Sequence, residues 1–199
     1  MEDVDIYDFD KTIVPFESGT KFICYCVLHY PWIIIYTPIL FVSSFLALLH
    51  IMSIDFYKKL CFMFVPMIPL ERAVEGFWKK HEKDFSDWFI NRNKERKTIV
   101  VSASPDFLIG GLKDRLDIDT LICTKHSSKN GAIMGENCRS EEKVRRLYEE
   151  LGKENINVID VYSDSIKKDK PIFSLATGQC YQIVNKKIIP FNFNEIYKD

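Results

Sequence analysis

The sequence lacks an excess of charge of either sign. Its 27 lysine and arginine residues nearly balance 28 aspartate and glutamate residues, and the formal net charge at pH 7 is −1. A surface that binds nucleic acid carries a basic excess, so no nucleic-acid partner is expected. Internal repeats and low-complexity tracts are also missing, and 199 residues suffice for one domain, with or without an insertion.

The six cysteines lack the Cys-x-x-Cys spacing that marks zinc sites and redox motifs. Cys123, His126 and Cys138 carry suitable zinc ligands, but their spacing does not match a metal-binding pattern. Glu2 and Asp3 stand where a secretory signal would carry positive charge, so export is not expected. We therefore expect a cytoplasmic protein with reduced thiols rather than a disulfide framework.

Two carboxylates follow directly on the first hydrophobic stretch. Val4, Ile6 and Tyr7 are β-branched or aromatic and predict a short buried strand, and Asp8 and Asp10 stand where it ends. Ligands of open α/β folds bind at the carboxyl ends of strands. There the first acid can attack a phosphoryl group while the second transfers a proton. Taken alone, Asp-x-Asp is more often an ordinary acidic turn.

A second strand is predicted over Thr98 to Val101, and it ends at Ser102 on the edge of the sheet where Asp8 lies. The Ser102 hydroxyl can donate a hydrogen bond to a phosphate oxygen. Pro105 suits the first turn of a helix predicted over residues 106–116, whose first N–H groups add anion-binding capacity. Without further motifs, this Ser-Ala-Ser segment is also an ordinary helix cap.

The second half of the chain supplies a lysine and another acid. A helix is predicted from Ser140, its expected N-cap, through Leu151, and it carries Lys143 in its first turn. On an isolated helix Lys143 would be a surface charge. A strand is predicted over residues 158–162, and Asp164 follows it; its carboxylate supplies the hard oxygen ligands that Mg²⁺ prefers. A last strand is predicted over residues 181–184, and residues 186–199 are expected to form a polar tail.

Taken together and in order, these motifs resemble those of the haloacid dehalogenase superfamily of phosphohydrolases. The matching positions are Asp8, Asp10 and Thr12 in the first motif, Ser102 in the second, Lys143 in the third, and Asp164 with Asp169 in the fourth. The spacing from Asp8 to Glu17 and the run over residues 135–143 resemble the phosphoserine phosphatase-like branch. This sequence has Ser163 where that branch more often has glycine, and its loop to Asp169 is one residue longer.

The resemblance implies an α/β fold with a Rossmann-like parallel-sheet core. The core would comprise residues 1–16 and 97–199, and an all-helical cap, residues 17–96, would be inserted after the first strand. The activity implied is Mg²⁺-dependent phosphomonoester hydrolysis through an aspartyl-phosphate. Asp8 would be the nucleophile, and Asp10 would be the acid and base, oriented by Thr12.

The remaining site residues follow from the same resemblance. Ser102, Ala103 and Lys143 would bind the phosphate. Mg²⁺ would be held by the side chains of Asp8 and Asp164 with the backbone carbonyl of Asp10, and Asp169 would hold waters or Lys143 behind them.

Charged residues are missing altogether from position 22 to position 54, a run of 33 residues. The run is longer than the about 20 apolar residues that span a bilayer. A single crossing would put Asp8 and Ser102 on opposite sides of a membrane, although both belong to one site. The run must therefore return as a helical hairpin, as helices lying at the membrane surface, or as a soluble cap that buries its apolar face. Pro31 and Pro38 supply the breaks that each arrangement needs.

The cap leaves the substrate open. Glu17 resembles the glutamate that faces an amino group in phosphoserine phosphatases, whereas the uncharged run resembles the apolar insert of phosphatidylglycerophosphatase C. The expected partner is thus a phosphorylated small molecule or a lipid phosphate. If residues 22–54 contact lipid, the protein would be peripheral to the inner face of the membrane. The alternative from another class is a non-catalytic membrane-binding or partner-binding module on the same fold.

Overall fold

The computed structural model describes residues 1–127 and 129–197, without the side chains of residues 54 and 55. The last residue of the predicted apolar run, Ile54, and positions 128, 198 and 199 of the predicted core therefore lie outside the described residues or side chains.

Six strands form one sheet with the order β3-β2-β1-β4-β5-β6. They are β1 (Glu2–Tyr7), β2 (Lys97–Pro105), β3 (Thr120–Thr124), β4 (Ile156–Ser163), β5 (Cys180–Val184) and β6 (Lys187–Phe191). The first five run parallel, and β1 lies in the middle between β2 and β4. Apolar runs such as residues 99–101 of β2 are what a sheet covered on both faces requires. The predicted α/β Rossmann-like fold is confirmed.

The expectation of a polar tail after β5 is wrong. Residues Lys187–Phe191 form β6, which pairs antiparallel with β5 at the edge of the sheet. The two strands are joined at Asn185 and Lys186, whose φ angles of 51° and 65° suit the tight turns that close β-hairpins. Pro190 within β6 is tolerated because the strand lies at the edge, and it also weakened the strand signal in the sequence.

The helices of the core are short apart from one. They are α6 (Asp106–Ile109), α7 (Leu112–Arg115), α8 (Glu141–Leu151), α9 (Lys170–Phe173) and α10 (Phe193–Ile196). The single helix predicted over residues 106–116 is interrupted at Gly110 and Gly111, between α6 and α7. Ser140 precedes α8, but its φ of 50° takes it out of capping geometry and its hydroxyl makes no cap hydrogen bond.

The first turn of α8 is stabilised by an ion-pair cluster on Glu142. Arg145 and Arg146 each donate to its carboxylate, at 2.6 and 2.7 Å. The hydrogen bonds from these guanidiniums, that of Arg145 foremost, lower the pKa of Glu142 to about 2. Gly152, with φ of 77°, ends the helix as the sequence predicted.

Between β1 and β2 the chain forms helices. They are α1 (Ser18–His29), α2 (Thr37–Leu48), α3 (Ile54–Cys61), α4 (Leu70–Lys80) and α5 (Asp87–Ile90), with 3-10 turns at Pro31–Tyr36, Val65–Met67 and Glu82–Asp84. Phe22 of α1 packs edge-on against Phe77 of α4, with ring centroids 5.5 Å apart, and both rings are fully buried. The aromatic side chains Phe77 and Trp78 of α4 therefore belong to the hydrophobic core. The Trp78 indole N–H also donates to the Leu108 carbonyl at 2.6 Å, which joins these helices to the sheet domain.

The chain leaves the sheet domain and returns to it at adjacent positions. The backbone N–H of Ser86 donates to the carbonyl of Ile13 at 2.8 Å, and its hydroxyl donates to the carbonyl of Thr12 at 3.3 Å. Beyond Ser86, Phe89 packs against Tyr7 of β1, with ring centroids 5.1 Å apart. We propose that the cap is the segment between these two points, so that α5 and residues 91–96 belong with the sheet domain.

The uncharged run remains largely uncovered. Within the described residues, Pro31–Leu48 is the one helical stretch long and apolar enough to cross a membrane, judged by length and composition, and only 11% of it is buried. Exposed large apolar side chains crowd this region, among them Ile34, Ile35, Phe41, Phe45 and Leu48. Exposed apolar patches of this kind mark interaction surfaces in soluble proteins.

Candidate active site

A cavity of about 700 Å³ lies at the carboxyl ends of β1, β2 and β4, between the sheet and helices α1 to α3. Eight of the nine residues predicted for the site line it: Asp8, Asp10, Glu17, Ser102, Ala103, Lys143, Asp164 and Asp169. Thr12, the ninth, is buried outside the lining. Parallel strands that end at one edge bring together residues separated by more than 150 positions, as the motif order required.

Lys143 binds two carboxylates at the centre of this cavity. Its ammonium lies 2.6 Å from Asp8 and 2.9 Å from Asp169, and the lysine and Asp169 are buried. Burial raises the pKa of Asp8, although the Lys143 ammonium opposes the rise. Burial lowers the pKa of Lys143, but the two carboxylates more than offset this, so the net shift is upward and the lysine stays charged.

Asp10 is held by two serines that the sequence reasoning missed. The Ser104 hydroxyl donates to one carboxylate oxygen at 2.6 Å, and the Ser18 backbone N–H donates to the other at 2.9 Å. The two hydroxyls are also 2.8 Å apart, so Ser18 donates to Ser104. Burial raises the pKa of Asp10 and these hydrogen bonds oppose the rise. Ser18 begins α1 and Ser104 ends β2, so both elements fix this side chain.

Thr12, expected to orient Asp10, contacts a different acid. Its hydroxyl accepts a hydrogen bond from the backbone N–H of Asp164 at 3.0 Å, which ties the turn after β1 to the loop after β4. On that loop the Ser163 hydroxyl donates to Asp169 at 2.6 Å. The serine that replaces the commoner glycine thus holds Asp169 against Lys143.

Ser102 has its hydroxyl oriented by the backbone. Its oxygen accepts a hydrogen bond from the Ser104 N–H at 3.1 Å, so its own proton remains to be donated into the cavity. Glu17 at the cavity rim pairs with Lys11 at 2.5 Å, and both side chains are about half exposed. Glu17 is therefore accessible to a substrate, with a cation beside it.

The acids fit a divalent cation with few protein ligands. Among the described residues, no three Asp, Glu, His or Cys side chains converge into a ready-made metal cluster. Mg²⁺ needs no such cluster, because it usually retains waters and binds one or two carboxylates together with a substrate phosphate. The Asp164 carboxylate makes no hydrogen bond to the described part of the protein, and burial raises its pKa. A cation beside Asp8 and Asp164 would give the Asp164 carboxylate a partner and would lower its pKa.

The chain matches a family profile and a curated relative that is recorded from two strains. The profile described as haloacid dehalogenase-like hydrolase matches residues 6–173. Protein CicA of Caulobacter vibrioides is 34% identical over 101 residues, which cover 48% of this chain and 45% of CicA. The match therefore spans just under half of that relative's length.

Solved structures share the fold at low sequence identity. A protein of unknown function from Bordetella pertussis Tohama I has a TM-score of 0.70 at 15% identity, covering 83% of each chain. A phosphoserine phosphohydrolase-like protein from Francisella tularensis has a TM-score of 0.57 at 15% identity, covering 90% of this chain and 86% of that one. A substrate-bound phosphoserine phosphatase complex has a TM-score of 0.56 at 16% identity, covering 90% and 85%.

Proposed function

The chain belongs to the haloacid dehalogenase-like hydrolases, and from this membership we propose that it is a Mg²⁺-dependent phosphomonoester hydrolase of the phosphoserine phosphatase-like branch. The predicted family is thereby confirmed, and it supports the proposed phosphatase activity. The observation that carries the proposal is the buried row Asp8–Lys143–Asp169 at the end of β1, with Asp10 fixed beside it. A structural ion pair would not require a second, separately anchored acid in the same cavity.

Catalysis would proceed in two displacements at phosphorus. A carboxylate oxygen of Asp8 attacks, the bond to the leaving oxygen breaks, and Asp10 gives its proton to that oxygen. In the second step Asp10 takes a proton from water, which attacks the aspartyl-phosphate and releases Asp8 and inorganic phosphate. The raised pKa of Asp10 suits a group that must first be protonated.

The surrounding groups neutralise and position the phosphoryl oxygens. Lys143 supplies a buried positive charge, and the Ser102 hydroxyl supplies a neutral donor; the Ala103 backbone lies beside it. A magnesium ion held by Asp8, Asp164 and the Asp10 carbonyl would supply further charge stabilisation to phosphoryl transfer. Asp169 and Ser163 hold Lys143 in place from behind.

The substrate would be a phosphorylated small molecule or a lipid phosphate. The far wall of the cavity is apolar, formed by residues such as Ile23, Leu40 and Phe41, and it belongs to the same helices that expose the uncharged run. This continuity favours a lipid phosphate, with α2 and the preceding turn at a membrane surface. The protein would then act in the cytoplasm at the inner face of the membrane.

The decisive test is a phosphatase screen of the purified protein with Mg²⁺. It should include an aryl phosphate, phosphoserine, sugar phosphates and short-chain lipid phosphates. Asp8→Asn is the key variant because an amide cannot act as the nucleophile, and activity should fall to background. The matched control is Asp119→Asn. Asp119 directly precedes β3, accepts a hydrogen bond from the Thr98 N–H and does not line the cavity. Wild-type turnover by Asp8→Asn after chelator treatment would refute both the nucleophile and the metal.

A further inference from the structure

Lys58 of α3 reaches from the cap into the sheet domain. Its ammonium donates to the carbonyl of Ala103 at 2.6 Å and to the side-chain oxygen of Asn137 at 2.7 Å. Both acceptors are core groups that line the cavity, and Lys58 lines it too. The cap therefore contributes a cation that binds a backbone carbonyl of the core, 45 positions later in the chain.

The carbonyl that Lys58 binds belongs to the peptide unit that organises the site. The N–H of this unit, that of Ser104, donates to the Ser102 hydroxyl at 3.1 Å. The Ser104 hydroxyl donates to Asp10 at 2.6 Å. A hydrogen bond accepted by a peptide carbonyl polarises the unit and strengthens the bond that its N–H donates. One peptide thus connects the cap ammonium to the phosphate-binding serine and to the acid.

The buried side chain of Asn137 is the second acceptor of Lys58. Its side-chain oxygen accepts from Lys58 and faces the Thr124 hydroxyl at 3.0 Å. Its side-chain nitrogen is buried and has no hydrogen-bond partner in the described part of the chain. An unpaired buried donor costs free energy. The hydrogen bond that the Asn137 oxygen accepts from Lys58 offsets part of this cost.

We infer that Lys58 is a positioning residue of the reaction, which orients Ser102 and Asp10 through the Ala103–Ser104 peptide when the cap is closed. This inference rests on the proposed phosphatase function. An open cap would withdraw the ammonium and leave the Ala103 carbonyl with its weaker, neutral hydrogen bond from the Thr124 hydroxyl at 3.0 Å. Closing of the cap would then enclose the substrate and position Asp10 and the Ser102 hydroxyl in one movement.

The kinetic test replaces Lys58 by methionine, which keeps the chain length and removes the charge. With an aryl phosphate and Mg²⁺, kcat should fall by about ten- to a hundredfold, the loss expected for a charged hydrogen bond, with little change in KM. Lys58→Arg should recover part of kcat. Lys59→Met, an exposed neighbour on α3, should behave as wild type. A rise in KM with unchanged kcat would overturn the inference, because it would mean that Lys58 binds substrate directly.

A second readout does not depend on turnover. Hydrogen exchange of the Ser104 amide, followed by NMR, should be faster by about tenfold or more in Lys58→Met than in Lys59→Met, at equal melting temperature. Lys58→Gln serves if the methionine variant does not fold. Unchanged exchange at Ser104 would overturn the positioning role even in an active enzyme. A wild type without phosphatase activity would refute the proposed function and, with it, the catalytic part of this inference, whatever the exchange data show.

Discussion

Replacing three exposed apolar side chains should release the protein from membranes if the uncharged run lies at a lipid surface. Ile35, Phe45 and Leu48 are suitable because they are 70%, 56% and 76% exposed and do not line the cavity. Leu40 of the same run is unsuitable since it forms part of the cavity wall. Glutamine is the appropriate replacement, because it favours helix and adds no charge.

The magnitude follows from the exposed fractions. Full burial of a large apolar side chain contributes about 1.5 to 3 kcal/mol. Scaled by their exposure, the three side chains would together contribute about 3 to 6 kcal/mol to partitioning into the acyl boundary. At about 1.4 kcal/mol per tenfold, the triple variant should lose about a hundredfold or more in apparent affinity for vesicles.

The assay is co-sedimentation with phosphatidylcholine vesicles, with and without an anionic lipid. A matched control replaces Val184, Ile188 and Ile189, exposed apolar residues of the edge hairpin, by threonine; this variant should sediment as wild type does. Aryl phosphate turnover should be unchanged in both variants, since neither alters the cavity. If wild type does not sediment, or if the triple glutamine variant sediments equally, the apolar surface does not bind lipid.

Three further outcomes are expected. Asp10→Asn should slow turnover at unchanged Mg²⁺ requirement, whereas Asp164→Ala should chiefly raise the Mg²⁺ concentration needed; equal metal titrations would contradict this division. Gly131→Ala should destabilise the contact between the backbone at Gly131 and the cap, because a Cβ there would lie 2.0 Å from the Phe62 carbonyl oxygen, and the melting temperature should fall clearly. Glu142→Gln should lower the free energy of unfolding by about 1 kcal/mol at neutral pH, after allowance for solvent screening. The pKa of Glu142 is about 2 in the folded protein and 4.5 as the unperturbed value, so this contribution is present above pH 4.5 and is lost as the pH falls toward 2. The stabilities of wild type and variant should therefore converge in acid, and a difference that stays constant with pH would refute the assignment.

The strands that carry the site could be predicted from the sequence, because each is a short apolar run that ends in a polar residue. Asp8, Ser102 and Asp164 end or follow three such runs, and the structure brings all three to one cavity. Edge elements gave weaker signals. The strand containing Pro190 reads as a tail, since its pairing depends on a neighbour rather than on its own hydrophobic pattern.

Contacts between the cap and the core could not be predicted. Ser18 and Lys58 make short hydrogen bonds to core groups 8 to 86 positions away, and hydroxyl and ammonium groups of this kind are common on any surface. Their partners depend on how the helices pack over the sheet. Thr12 illustrates the same limit, because its neighbour in space is the Asp164 backbone rather than the acid two residues before it.

The hydrogen bond between Ser86 and Ile13 also bears on how this molecule can be rebuilt. Because the two backbones pass within 2.8 Å, the segment between them is joined covalently to the sheet domain at two adjacent points. A short turn could close the chain there without stretching it, since loops that join adjacent backbones need few residues. The helices over the cavity are therefore an exchangeable module: a different set could be grafted onto the same acids and lysine to change which substrate is admitted, provided that it keeps the groups through which Ser18 and Lys58 reach Asp10 and Ala103.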